Sequence, residues 1–333
     1  MNSRNCFIRL MKGEDPQRIL FYPILMHFAA RFVGKTYGEF ASDHRVLVEA
    51  NLRCLEYFGM DMVSLISDPY RETSAFGAPV EYVAEGVPRC LHPVIEKPED
   101  VFHLKNPDVY RCERTLDRIQ GAILFKKYLH DEFPVMGWIE GPLAEACDLA
   151  GVEQMLMMLM TDPDVAQRLL DICLKTAKDF AKAQAEAGCD LIGIGDAICS
   201  QIDEDTYEKF VFLRHKELID YIHSLGVYVK MHICGDTRHL WKWLSALSID
   251  WFDPDYMTSM DEAHRLFGPS VTLSGNLNPV DIQHKKEEEV LQLAKTLTES
   301  EKGKKFIMSA GCEIPVNTPY ENLMALKKSI AAV

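Results

Sequence analysis

The stretch VYVKMHICGD, residues 227–236, opens on alternating β-branched and aromatic residues and breaks at a glycine. That pattern reads as a strand running to residue 233, with Gly235 starting the turn beyond it. Residues two apart on a strand share a face, so His232 and Cys234 project the same way from the strand's C-terminal end. Further along, KFIMSAGC (305–312) repeats the arrangement, with Cys312 in a Gly-Cys turn just past a second strand.

Six more runs of the same kind lie in the chain: FYPILMH (21–27), DMVSLIS (61–67), FPVMGWI (133–139), DLIGIG (190–195), IDWFD (249–253) and VTLSG (271–275). Eight short strands separated by segments of helical spacing predict an α/β fold, a (β/α)8 TIM-like barrel with N-terminal and mouth-capping insertions. Chemistry in such a barrel sits at the C-terminal ends of the strands, which is where His232, Cys234 and Cys312 fall.

The helices have readable limits. Residues 151–188 hold two, the second opening at Asp162-Pro163 with Asp as N-cap and closing at Gly188. Residues 204–225 and 284–299 form two more. The run MLMMLM (155–160) reads as core packing on a helix. The stretch of about 70–132 exceeds what one βα unit needs; it is expected to hold a hairpin, PVEYVAEGVPRCLHP, and helices that cap the barrel mouth. No repeat or linker interrupts the chain, so residues 1–333 read as one domain.

Composition bounds the function. The chain has 333 residues, 47% hydrophobic and 26% charged, ample for a large core. Its net charge of -14 argues against general nucleic-acid binding, which needs a basic face. The N-terminus lacks an apolar signal-peptide core, and no run approaches about 18 apolar residues; no membrane span and a cytoplasmic location are expected. Ten cysteines in such a protein should be mostly reduced. Most sit in apolar runs as inert thiols, and Cys234 and Cys312 break that pattern.

One imidazole and two thiols from two strand ends form the open ligand set of a catalytic zinc. Asp255, after the next strand, is placed to fill the fourth position when substrate is absent, or else to cap the following helix. Glu313 is a weaker candidate. Two thiolates and a neutral imidazole just neutralise Zn2+, a balance that favours activating a bound thiol over polarising water. Asp196 at the end of DLIGIGD is expected to orient the acceptor or a zinc ligand. Glu140, His27 and Asn276 also end strands, the last two as candidate cofactor-binding groups. Trp138 and Tyr207 read as wall or packing residues.

With these residues in view, the chain resembles the uroporphyrinogen decarboxylase superfamily. The runs that carry the likeness are GWIEGPLAEACDLAG (137–151), DPDV (162–165), KAQAEAGCDLIGIGDAICS (182–200), YEKFV (207–211), HICGDT (232–237), LFGPSVTLSGNLNP (266–279) and GCEIPVNTPYENLMAL (311–326). The region PILMHFAARFVGKTYGEF (23–40) lacks the arginine pair that grips porphyrinogen in the decarboxylases, and Cys312 stands where they carry histidine. The HxC and late GC turn are similar to those of the methylcobamide:coenzyme M methyltransferase branch. Cobalamin-independent methionine synthase has the same ligand order, with a glutamate where Asp255 falls.

The resemblance implies a zinc-dependent methyltransferase that passes a methyl group from methylcobamide, held on a partner corrinoid protein, to a small-molecule thiol or a folate. No DxHxxG pattern of a corrinoid-binding domain occurs in this sequence. A homodimer is compatible with the reading. A metal-free decarboxylase and a non-catalytic zinc- or corrinoid-handling protein stand as alternatives.

Overall fold

The computed structural model describes residues 1–331. Eight parallel strands make its main sheet: β1 (Leu20–Phe21), β2 (Val63–Ser64), β3 (Val135–Glu140), β4 (Leu191–Gly195), β5 (Tyr228–His232), β6 (Trp251–Asp253), β7 (Thr272–Leu277) and β8 (Phe306–Ala310). All eight lie within or beside the runs read as strands. They bond in the order β2-β3-β4-β5-β6-β7-β8-β1, the sequential winding of a (β/α)8 barrel. β3, β4 and β8 are buried along their whole length, as strands covered on both faces must be. Hence LIGIG and FIMSA read as continuous apolar runs.

No ladder joins β1 to β2, and Asp61 closes that seam. Its N–H donates to the Phe21 carbonyl (2.9 Å) and its carboxylate accepts from the Phe21 N–H (2.8 Å). Ser3 and Arg18 bind the other carboxylate oxygen, at 2.8 and 2.6 Å. The backbone groups that a short strand leaves unpaired are thereby satisfied.

The helix Pro163–Glu186 starts on its proline as expected, and Gly188 follows at φ +103°, open to glycine but strained for other residues. Asp162 differs from expectation: it makes no side-chain cap, and its carboxylate accepts from Thr161 Oγ1 instead (2.7 Å). The expected helix over 204–225 is divided by a π-helical stretch, Tyr207–Phe212. That over 284–299 starts later, at Glu287, where three consecutive glutamates suit the positive helix terminus. In the methionine run, Met155 and Met158 are buried while Met157 and Met160 are exposed, so only one face packs.

Within 70–132, Val80–Glu81 and Arg89–Cys90 pair as the expected antiparallel hairpin. Tyr37 N–H donates to Ala84 C=O (2.9 Å) to tie it down, and a Cβ on Gly38 would stand 2.5 Å from Val83 O. The helix Glu113–Leu129, by contrast, packs against His44–Phe58 and β3 in the outer layer. Among the described residues no helix is long and apolar enough to cross a membrane.

Candidate active site

Parallel pairing puts four residues of neighbouring strands in one row: Glu140 of β3 opposite Gly195, Gly195 opposite His232, and His232 opposite Asp253. Directly paired residues of a parallel sheet face the same side, here the barrel interior. Gly195 contributes no side chain to the row. Trp138, two residues before Glu140, lays its indole across β4; a Cβ on Gly193 would lie 2.3 Å from that ring and one on Gly195 3.0 Å. The glycines of LIGIG therefore make room for the indole that floors the site.

His232, Cys234 and Cys312 meet at the mouth. His232 Nε2 is 3.1 Å from Cys234 Sγ, the two sulfurs are 3.7 Å apart, and Cys312 Sγ is 3.9 Å from Nε2. Cys312 reaches them because Gly311 permits a close passage: a Cβ there would stand 2.5 Å from the Tyr256 nitrogen.

Behind the histidine lies a buried polar chain. His232 Nδ1–H donates to Asp253 Oδ2 (3.1 Å), which also takes Lys230 Nζ at 2.7 Å. Ser274 Oγ donates to the other Asp253 oxygen and accepts from Trp251 Nε1 (2.7 Å). A carboxylate on the far nitrogen fixes the ring orientation, so that in the neutral ring Nε2 is the nitrogen with the free lone pair. Burial opposes the Asp253 charge, but Lys230 and His232 outweigh it and hold its pKa down at about 2.

Protons shared among the trio follow from the same contacts. The hydrogen bond from Cys234 draws the Cys312 pKa down to about 4, with His232 helping. Cys234, giving that bond, is pushed up. Burial works against charge on His232, yet its bonds to Asp253 and Cys312 raise it to about 9. The trio thus already favours a thiolate.

The donor set fits zinc. Bond lengths of ~2.3 Å to sulfur and ~2.0 Å to nitrogen, at tetrahedral angles, require roughly 3.7 Å between sulfurs and roughly 3.5 Å from nitrogen to sulfur. The sulfur separation of 3.7 Å agrees, and the nitrogen–sulfur distances of 3.1 and 3.9 Å bracket the requirement.

Of the other residues singled out from sequence, Trp138, Glu140 and Glu313 line the cavity beside the trio; the rest lie elsewhere. Asp255 is outside the trio's cluster. Its carboxylate accepts from the N–H groups of Gly235 (3.0 Å) and Met257 (3.1 Å), so it holds the turn after Cys234. Asp196 is fully buried and away from the cavity. It accepts from the Leu143 and Ala144 N–H groups, at 3.2 and 2.8 Å, and from His215 Nε2 at 2.9 Å, capping the helix Pro142–Ala150. Asn276 Nδ2 binds the Asp255 and Thr258 carbonyls, at 3.1 and 2.8 Å, bracing the β6 loop. His27 opens a helix instead of ending a strand; it stacks on Tyr37 and bonds Glu85 at 2.8 Å. Trp138 lines the cavity, as a wall residue should; Tyr207 packs in the interior, its hydroxyl on His215 Nδ1 (2.9 Å). Asp253 and Lys230, missed from the sequence, share the inward face of His232.

The cavity beside the trio measures about 250 Å3. Its walls are mostly apolar, with Ile24, Met26, Ile66 and Trp138, and they carry Glu140, Asp68 and Glu313. Glu313 accepts the His27 N–H (3.0 Å) but burial prevails and lifts its pKa to about 7. Val87 of the hairpin closes one side.

Residues 2–333 match the family described as Uroporphyrinogen decarboxylase (URO-D). The chain belongs to that family. One relative is the methylcobamide:CoM methyltransferase MtbA of Methanosarcina acetivorans, 27% identical over 274 residues, covering 80% of this chain and 78% of the relative. Another is the uroporphyrinogen decarboxylase of Myxococcus xanthus, 26% identical over 246 residues, 72% of this chain and 69% of the relative. A solved methyltransferase from Methanosarcina mazei superposes with a TM-score of 0.91 at 20% identity, over 100% of this chain and 99% of its own. The barrel read from sequence is the fold of that protein.

Proposed function

We propose that this member of the family is a zinc-dependent methyltransferase, which passes a methyl group from a methylated corrinoid on a partner protein to a thiol. The observation that carries the reading is the separation of His232 Nε2, Cys234 Sγ and Cys312 Sγ, which suits three corners of a zinc tetrahedron. The methylcobamide:CoM methyltransferase among the relatives supports the methyl donor.

His232, Cys234 and Cys312 would hold the metal, which when bound would lower the pKa of an incoming thiol so that it reacts as a thiolate. Asp253 keeps the His232 ring oriented, with Lys230 neutralising the carboxylate. The apolar walls keep water from competing for the methyl group and strengthen the electrostatics of the site. Asp255 fixes the turn bearing Cys234 through the Gly235 N–H.

Decarboxylation of a porphyrinogen suits the cavity less well. At about 250 Å3, it falls short of the roughly 300–1,000 Å3 of sites for drug-sized ligands. Among the described residues no Lys or Arg lines it to receive several carboxylates. The test is twofold: metal analysis of untagged protein, and demethylation of methylcobalamin with thiols and tetrahydrofolate as acceptors. We expect about one zinc per chain and turnover with a thiol; protein free of zinc, or active only with tetrahydrofolate, would overturn the reading.

A further inference from the structure

The cavity is asymmetric in charge. One end carries the trio; the other carries Glu140, two strands away in the same row. Adjacent strands lie about 4.8 Å apart, so the two positions are on the order of 10 Å apart across the row. Gly195 stands between them and leaves that span clear except for the indole beneath it. A short, unbranched molecule can lie in it with one end at each wall.

Glu140 is 8% exposed and lines the cavity. Its Oε1 accepts from Arg71 Nη2 at 2.7 Å, and Oε2 has no hydrogen-bond partner among the described residues. Arg71, fully buried behind it, also faces Glu72 at 3.6 Å. Glu145 and Asp148 lie close enough to add to the same negative field. One guanidinium therefore answers several carboxylates. Burial, opposed by Arg71 but reinforced by these neighbours, pushes the Glu140 pKa well above the usual carboxylate range. The same crowding, again after burial, lifts Asp148 to about 8. A cation entering here relieves both repulsion and desolvation. An anion finds no Lys or Arg on the cavity wall; beside Glu140 it makes ionisation of that carboxyl harder still, whereas a cation makes it easier.

We propose that the thiol acceptor of this enzyme carries at its far end an ammonium or similar cationic donor that binds Glu140 Oε2, and that thiols ending in an anion, such as a sulfonate, are disfavoured. This rests on the methyltransferase reading above and adds the substrate class to it. Glu140 is a specificity residue; it does not touch the sulfur.

The experiment uses zinc-loaded full-length protein, methylcobalamin as methyl donor, and three thiols of one chain length: 2-aminoethanethiol, 2-mercaptoethanol and 2-mercaptoethanesulfonate. We expect kcat/KM for the aminothiol to exceed that for the sulfonate by about tenfold or more, with the neutral thiol between. In Glu140→Gln the ratio of aminothiol to sulfonate should fall to within about threefold of unity. Intrinsic thiol acidity is common to both enzymes and cancels when the two ratios are compared. A wild-type preference for the sulfonate overturns the proposal without any variant, as does a ratio that Glu140→Gln leaves intact. Failure of all three thiols to accept methyl would instead strike at the methyltransferase reading itself.

Discussion

Replacing Asp253 by asparagine tests the architecture behind the proposed metal ligands. Lys230 is 1% exposed, and its only acidic partner among the described residues is Asp253, at 2.7 Å. Removing one partner of a buried pair costs roughly 3–5 kcal/mol because the other charge is left uncompensated. Two features pull the expected value to the low end. The amide oxygen still accepts one bond, and Lys230 Nζ keeps the faces of Trp251 and Tyr22 at 4.3 and 5.3 Å from the ring centroids. We therefore expect a loss of about 3 kcal/mol in urea denaturation of the protein. Zinc affinity, measured by competition with a chromophoric chelator, should fall about 10- to 100-fold, since the His232 ring loses the carboxylate that orients it. The pair Lys230→Met/Asp253→Asn separates the two effects. With the Lys230 charge no longer left unpaired, stability should return to within about 1 kcal/mol of the parent, while zinc affinity stays about tenfold down. If affinity recovers together with stability, Asp253 acts on the fold alone and its role in setting His232 is refuted.

Cys312→Ala and His232→Ala should each lose the retained zinc, as metal analysis after gel filtration will show, while circular dichroism reports an intact barrel. Asp255→Asn should keep zinc affinity within about threefold, because its carboxylate serves the Gly235 and Met257 N–H groups; a drop of tenfold or more in the absence of thiol would instead make it the fourth ligand. Asp61→Ala should destabilise the chain by about 3 kcal/mol in the same urea assay, since it strands the buried Phe21 N–H and frees Arg18 at the β1–β2 seam; a change under about 0.5 kcal/mol would mean that the seam is closed by other contacts.

The eight strands were legible because buried parallel strands have no polar face to disguise them, and the trio because two of its members obey the two-residue repeat of one strand. The same repeat explains what was misplaced. Gly195 pairs with the inward-facing His232, so the next residue, Asp196, must face outward, towards the helices. Glycine shows no side chain by which to read that parity, and Asp196 looked like another mouth residue. Asp253 was overlooked for a related reason: within DWFD it reads as a strand residue, and only the pairing with β5 reveals that it stands beside His232. Asp255 and Asn276 do sit at strand ends, but their partners are backbone groups of neighbouring turns, which depend on tertiary approach. His27 fell on the wrong element because β1 stops at Phe21 and the chain then runs irregularly to the helix that His27 opens.

The row Glu140–Gly195–His232–Asp253 also separates two tasks that could have interfered. The end that carries the trio is supported by Lys230, Asp253 and Ser274 on β5, β6 and β7; the far end is supported by Arg71 and Glu72, which come from the helix after β2. No hydrogen bond or ion pair between described residues links the two supports. Groups without shared partners at such separation contribute nearly independently. The residue at the Glu140 position can therefore change in charge, and with it the acceptor proposed above, while the trio and its orientation stay as they are. On the reading proposed above, that independence is a physical route by which one barrel and one trio can serve acceptors that differ only at the end remote from sulfur.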